Sequence, residues 1–302
     1  VTEPPTTRPD AGGFRCGYVA VVGRPNAGKS TLTNALVGLK VSIVAPRPQT
    51  TRHRILGIVS APGFQGLLLD TPGLLYPKYP LQQHMAREIE SALADADVTV
   101  VVFDAARDPG PDDSTARFKG KRSIAVLNKI DLVPDKTRLL TQAAELSAAG
   151  FGQVFMVSAL RSSGVKDLKA AIGRLLPEGP ALYPPDQVAD RPEKFFAAEF
   201  VRAAVFNLYS AEIPYATATV CEEFSERPGR KDYIKITIFV ERDSQKAIII
   251  GQGGKALKRL GSSARRDIEG FLGRPVFLEL AVKVAEAWRR DELFIKQRVY
   301  GR

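Results

Sequence analysis

Cysteine and histidine are scarce in this 302-residue sequence, with two of each. Cys16 and Cys221 stand far apart, which speaks against a disulfide framework or a cysteine zinc site and fits a reducing compartment. His53 and His84 are the whole histidine complement, so a multi-histidine metal centre is excluded. No apolar run approaches the roughly 20 residues of a membrane span. Residues 1–13, rich in Pro, Thr and Gly, lack an apolar signal core and read as a disordered tail. Against these absences stand 44% hydrophobic and 25% charged residues, enough to bury cores in two ordinary domains. The formal charge of +10 suits a polyanion such as nucleic acid, or an anionic membrane surface.

Short aliphatic runs at 18–22, 66–69, 98–103, 124–127 and 154–157 alternate with helix-like stretches at 29–37, 81–94, 137–149 and 164–176. Such alternation predicts an α/β domain with a mainly parallel sheet covered on both faces, and ligands at the carboxyl ends of its strands. Pro177, Pro180, Pro184 and Pro185 then interrupt any regular element. This divides the chain into a first domain at 14–180, a linker at 181–192 and a second domain at 193–302. The second domain reads as an amphipathic helix (193–210), strands at 215–224 and 233–241, two helices split by a glycine break at 251–254, and a strand at 276–283. That order is a small α+β layer.

Gly23-Arg24-Pro25-Asn26-Ala27-Gly28-Lys29-Ser30, followed by Thr31, fits the phosphate-binding loop pattern directly between a strand and a helix. Backbone N–H groups of a tight glycine loop and a helix N-terminus solvate phosphate oxygens, Lys29 reaches the terminal phosphates, and Ser30 is placed to ligate Mg²⁺. Asp70-Thr71-Pro72-Gly73 follows the next strand and reads as the second phosphate and metal element. Between them, the hydroxyls of Thr50 and Thr51 are both in range of a Mg²⁺ ion. Asn128-Lys129-Ile130-Asp131 selects the base: the Asp131 carboxylate accepts from two adjacent donors that guanine has and adenine lacks. A carboxylate left without those donors is penalised by about 1–3 kcal/mol. Ser158-Ala159 is expected to offer a backbone N–H to the guanine carbonyl.

Leu74 stands where small signalling GTPases carry a water-orienting glutamine, so charge stabilisation must come from elsewhere. The Asn26 amide oxygen is a candidate ligand for K⁺ beside the phosphates. Leu74 also favours an alternative, a nucleotide-dependent RNA-binding checkpoint that scarcely hydrolyses GTP.

Gly251-Gln252-Gly253-Gly254 mimics part of a dinucleotide fingerprint, but no acidic residue ends a second strand at the required spacing. Between two short helices the same residues form the glycine loop of a KH module, which clamps about four nucleotides of single strand. Lys255, Lys258, Arg259 and Arg265 on the following helix supply a local cationic cluster.

Taken together, the motifs resemble the Era family of ribosome-assembly GTPases. G-R-P-N-x-G-K-S-T-L at 23–32, Q-T-T-R-H-R at 49–54, D-T-P-G-L at 70–74, N-K-x-D at 128–131, E-I-P-Y at 212–215, E-R-x-S-Q-K at 241–246 and I-I-G-x-x-G-x-x-L-K at 249–258 carry the likeness. It covers about 17–290. The T-R-x-R context singles out Thr51 as the metal threonine. The resemblance implies a type II KH fold, binding to the 3′ end of small-subunit ribosomal RNA in a 30S-type subunit, and a role in its maturation. It also implies a monomeric cytoplasmic protein, with peripheral association at the inner membrane face in some members. Leu160 departs from the charged residue common at that place. A relative acting in transfer-RNA modification would need its own chemistry, and no cysteine–histidine cluster supplies any.

Guanine choice resting on Asp131 has a direct test. Asp131→Asn reverses the donor–acceptor pattern at the base edge, so GTP affinity should collapse while xanthosine triphosphate gains, measured by equilibrium titration. Unchanged GTP binding would remove Asp131 from the base pocket.

Overall fold

The protein is described by a computed structural model covering residues 13–301, apart from 46, 48, 49, 75, 76, 108, 109, 113, 114 and 116. The tail expected at 1–13 lies outside it except for Gly13, as does Gln49 of the Q-T-T-R segment. Aliphatic β-branched runs build a six-stranded sheet in the order β2-β3-β1-β4-β5-β6, where β1 is Arg15–Gly23, β2 Ile55–Ala61, β3 Phe64–Asp70, β4 Val98–Asp104, β5 Gly120–Asn128 and β6 Phe151–Met156. All neighbours pair in parallel except β2 with β3. The central strands are buried on both faces: Val19, Val21, Val100 and Val102 pack under helices α1 (Lys29–Val37) and α4 (Val165–Leu175), while Ala20, Val22, Val101 and Phe103 face α3 (Lys136–Ala148). Helix α2 (Pro80–Asp95) begins at a proline, whose missing N–H is no loss at a first turn.

Strand β2 was not anticipated. Its residues Ile55 to Val59 are all buried, so it lacks the alternation that marks a strand with one wet face. Both of its faces are covered, Leu56 and Ile58 packing with Leu67, Leu69 and Ala92 and Val59 with Leu32 and Leu36, while Ile58 N–H to Val188 O and a Gly57–Ala189 bridge close the outer edge of the sheet.

The second layer is a three-stranded sheet, β7 (Ala218–Ser225), β8 (Asp232–Val240) and β9 (Val276–Val284), with β8 antiparallel to β7 and parallel to β9. Helices α5 (Glu193–Leu208), α6 (Asp243–Ile250) and α7 (Lys255–Leu272) enclose Ile234, Ile236, Ile238, Leu260, Ala264 and Ile268 against it. The first strand starts at Ala218 rather than 215, because Ile213 to Ala216 turn inward, with Thr217 Oγ1 donating to Ile213 O.

Helix α5 corrects a second expectation. It is not amphipathic: every residue from Phe196 to Phe206 is buried. Val41 and Ile55 of the first domain share its core with Phe196, Phe200 and Val201. Further along the seam, Leu81 and Met85 of α2 pack with Ala218, Phe239, Trp288 and Ile295. Helix α5 is therefore covered by its own sheet on one side and by the first domain on the other.

His53 lies in this seam, edge-on to Phe195 at 5.3 Å and to Tyr300 at 4.8 Å between ring centres. Burial lowers its pKa to about 4, with Glu199 opposing and Arg202, Arg191 and Arg52 reinforcing the effect. The folded state thus takes up the proton later than the unfolded chain, whose histidine titrates near 6.5. Stability from neutral His53 is full above that value and is lost as pH falls toward 4. Unfolding measured across this window should show a loss that His53→Phe reduces by on the order of 3 kcal/mol. Parallel pH profiles for the two proteins would contradict a neutral buried His53.

Candidate nucleotide and nucleic-acid sites

The phosphate loop follows β1 and is shaped by residues that only glycine satisfies. Gly23 sits at φ 148°, where an added Cβ would lie 2.3 Å from Val102 O, and Gly28 at φ 94° faces Asn128 Nδ2 at the same distance. Asn26 adopts φ 64°, a left-handed conformation asparagine tolerates. Lys29 opens α1 with its ammonium folded back on the loop, donating to Gly23 O at 3.1 Å and Arg24 O at 3.0 Å. Burial lowers its pKa to about 8, with Asp70 opposing the shift. The Arg24 guanidinium reaches away to Asp112 at 2.6 Å.

Ser30 and Thr51 hydroxyls meet at 2.9 Å, whereas Thr50 Oγ1 donates to Arg47 O. Of the two threonines, Thr51 is the one facing Ser30. Behind them, Asp70 is fully buried and, among the described residues, neither carboxylate oxygen has a hydrogen-bond partner. Burial raises its pKa, with the Ser30 hydroxyl and Lys29 acting in the opposite sense. An unpartnered buried carboxylate beside two hydroxyls is a donor set of hard oxygens that suits Mg²⁺. Thr71 Oγ1 donates to Val21 O, tying the Asp70-Thr71-Pro72-Gly73 element to β1. Gly73 abuts Pro25 so closely that a Cβ would stand 2.9 Å from its Cα. The Leu74 N–H donates to Gly23 O, and its side chain packs on the Ala20–Val22–Phe103 core.

A cleft of about 520 Å³ runs from this metal corner past Pro25, Asn26, Gly28 and Thr31 to Lys129 and Leu132. At its base end, Asn128 is a brace: Nδ2 donates to Ala27 O at 3.0 Å, and Oδ1 accepts from Ala159 N at 3.0 Å. Ser158 N–H donates to Ser163 O. Of the Ser158 and Ala159 N–H groups, one of which is expected to meet a guanine carbonyl, each has a protein acceptor here, Ser163 O and Asn128 Oδ1. Lys129 is in the left-handed region at φ 66°, and its ammonium bridges Asn26 O and Asp104 Oδ2 at 2.7 Å, a tie the sequence did not reveal. The Asp131 carboxyl is nearly buried and its charged neighbour is Arg161, 3.9 Å away; Leu160 stands exposed beside it in sequence.

The glycine loop between α6 and α7 needs its glycines at φ 68°, 58° and 75° for Gly251, Gly253 and Gly254. At Gly251 a Cβ would fall 2.6 Å from that of Ala256, while Gly253 and Gly254 face open space. Gln252 is exposed between them. Tyr209 anchors the turn by donating to Ile249 O at 3.0 Å. A groove of about 460 Å³ runs between α7 and β9, lined by Gly254, Lys258, Arg265 and, unforeseen, Lys231. Lys255 and Arg259 are exposed on the same helix but do not line it.

The nucleotide site and the second domain are joined by four consecutive residues, 50–53. Buried Arg202 on α5 is paired with Glu199 and donates to Thr50 O at 2.5 Å. Burial works against the Glu199 carboxylate, yet Arg202 outweighs it and holds its pKa below the ordinary range. Arg52 donates to Thr217 O at 2.7 Å, Tyr215 O at 3.2 Å and Pro214 O at 3.3 Å. Its own carbonyl accepts from Tyr300 Oη at 3.0 Å. Arg47, on the other side of Thr51, donates to Tyr209 O. None of these partners was foreseen: the ion pair lies inside one helix and its target is 152 residues away.

Comparison with known proteins agrees with this architecture. The profile of a family described as "50S ribosome-binding GTPase" matches residues 18–129, and that of the KH domain matches 212–289. The chloroplastic ERA-like GTPase of Oryza sativa is 44% identical over 296 residues, covering 95% of this chain and 70% of the relative. GTPase Era of Lactobacillus helveticus is 40% identical over 292 residues, covering 96% and 97%. Among solved structures, an Aquifex aeolicus Era variant bound to GDP and aluminium fluoride superposes with a TM-score of 0.90 at 36% identity, covering 96% of this chain and all of that one. An Era complex with MgGDPNP and nucleotides 1506–1542 of 16S ribosomal RNA gives 0.89 at 37% identity with the same coverage of this chain. A nucleotide cleft braced by Asn128, a KH glycine loop and these full-length matches establish that the chain belongs to the Era family, a GTPase domain followed by a KH domain.

Proposed function

We propose that this GTPase binds the 3′ end of small-subunit ribosomal RNA through the α7–β9 groove, and that its nucleotide state governs that binding during small-subunit assembly. One observation carries the reading: the run 50–53 touches the nucleotide site and the second domain at once. Thr51 meets Ser30 at the metal corner while Thr50 and Arg52 are bonded to the KH domain. A ligand that draws Thr51 inward favours one KH placement, and by linkage that placement favours the ligand. Ser30 and Thr51 would hold Mg²⁺, with Asp70 behind them. When bound, the ion neutralises charge on the phosphate oxygens. The chain's own part is to cradle those oxygens with loop N–H groups, to present Lys29 and to admit guanine at Asp131.

RNA binding is separable from hydrolysis. Gln252→Glu with Gly253→Asp sets negative charge against the RNA backbone, so affinity for a 3′-terminal small-subunit fragment should be lost while basal GTP turnover persists. With three or four phosphates contacted, the wild-type salt slope should be about −2 to −3. A slope near zero would sink the backbone clamp.

Leu74 has turned into the core, so the charge that builds up in the transition state needs another counter-charge. Asn26 lines the cleft, and Arg24 is engaged with Asp112. Its amide oxygen is proposed as a K⁺ ligand. Hydrolysis should then run faster in K⁺ than in Na⁺ at equal ionic strength, and Asn26→Ala should abolish the difference without losing nucleotide. Equal rates in both salts, with RNA and without, would hand the role to Arg47, Arg107 or a partner's residue.

A further inference from the structure

Phe277 is a large apolar side chain that the core does not use. On β9, Val276 is fully buried under the helices, whereas Phe277 points to the opposite face and is 56% exposed. Its cross-strand neighbour in the parallel β8–β9 register is Tyr233. The two rings stack, with centres 6.0 Å apart and planes within 14° of parallel. The Arg227 guanidinium lies 4.7 Å from the Tyr233 ring centre. Tyr233 is fixed in turn, since its hydroxyl donates to Glu279 at 2.6 Å and Lys235 holds the same carboxylate at 3.0 Å. One ring is locked in place and the other leans on it with a face to solvent.

The pair is continuous with the groove. Phe277 lines it together with Lys231, Lys258 and Arg265. Leu280 lies opposite Gly261 in the first half of α7, and β9 starts just after α7 ends, so Phe277 marks the end of the groove away from the glycine loop. A strand clamped at Gly251–Gly254 and followed along the groove arrives at this ring. Cations stand on the groove side, and Glu279 stands two residues further along the outer face. Phosphates are therefore favoured at Lys231, Lys258 and Arg265, while on the outer face Lys235 already meets the Glu279 charge and the exposed Phe277 ring offers a base an uncharged surface.

We propose that Tyr233 and Phe277 form a base-stacking platform that extends the KH groove by at least one nucleotide of single-stranded RNA. The proposal rests on the RNA-binding reading above. Stacking on an exposed aromatic ring tolerates any base, because each has a π-face. The platform adds affinity and site length without adding sequence preference or a phosphate contact.

The test uses the full chain and single-stranded oligoribonucleotides of four to seven nucleotides from the 3′ end of small-subunit ribosomal RNA. Each carries 2-aminopurine at one terminus. Affinity should rise once the strand outgrows the groove's span of about four nucleotides. Phe277→Ala should cancel that rise, about tenfold in Kd, and restore the fluorescence of the quenched terminal base. Phe277→Trp should preserve both effects. The salt slope and the affinity of the tetranucleotide should stay as in wild type, as should GTP turnover. An undiminished length gain in Phe277→Ala, or a terminal base that is never quenched, overturns the platform. If no oligonucleotide of any length binds, the RNA reading itself fails and the platform falls with it.

Discussion

The hydrogen bond from buried Arg202 to the carbonyl of Thr50 is the contact on which the relation of the two domains turns. A guanidinium in a dry interior is tolerable when a carboxylate neutralises it and its N–H groups find acceptors. Glu199 provides the first condition one helical turn away, and Thr50 O the second. Removing either partner from such a buried pair leaves a naked charge, at a typical cost of about 3–5 kcal/mol. The segment carrying Thr51 is therefore not a free loop that settles on nucleotide alone. Its shape is defined jointly by the phosphate loop, through the Ser30–Thr51 contact, and by helix α5.

The nucleotide cleft sets one unpartnered group within a tied framework. Lys29 rests on the carbonyls of its own loop, and Asp70 is buried with no hydrogen-bond partner on either oxygen. The unfavourable burial of that carboxylate is a local strain that a bound cation relieves. The framework around it is stiff: Thr71, Leu74 and Asn128 are each tied to the loop or to strand β1. Asp70 thus stands as an unpartnered buried carboxylate, among the described residues, at the corner where Ser30 and Thr51 meet.

How much of this could be read in advance depended on sequence distance. The phosphate loop, the Asp70–Gly73 turn and the KH glycine loop were legible because neighbouring residues set their backbone conformations; Gly28 and Gly251 declare a positive φ by themselves. Strand β2 was missed because both of its faces are buried, in clusters drawn from distant parts of the chain, so the alternation that would have marked it is absent. The Asp104–Lys129 tie and the Arg202–Thr50 bond were invisible because each joins segments whose proximity only the fold creates. The acceptors of the Ser158 and Ala159 N–H groups, Ser163 and Asn128, were invisible for the same reason: they come from a loop closure and from another strand.

Helix α5 shows water little beyond its ends: Lys194 and Asn207 are exposed, and everything from Phe196 to Phe206 is buried. Half of its surface is covered by the KH sheet and α7, and the other half by Val41, Ile55 and the 50–53 run. A nick anywhere in the connecting stretch 181–192 would leave the two fragments associated, each completing the burial of one shared rod. In that sense the covalent boundary and the thermodynamic boundary of the domains do not coincide. The cooperative unit that unfolds around α5 reaches across the linker into the GTPase sheet.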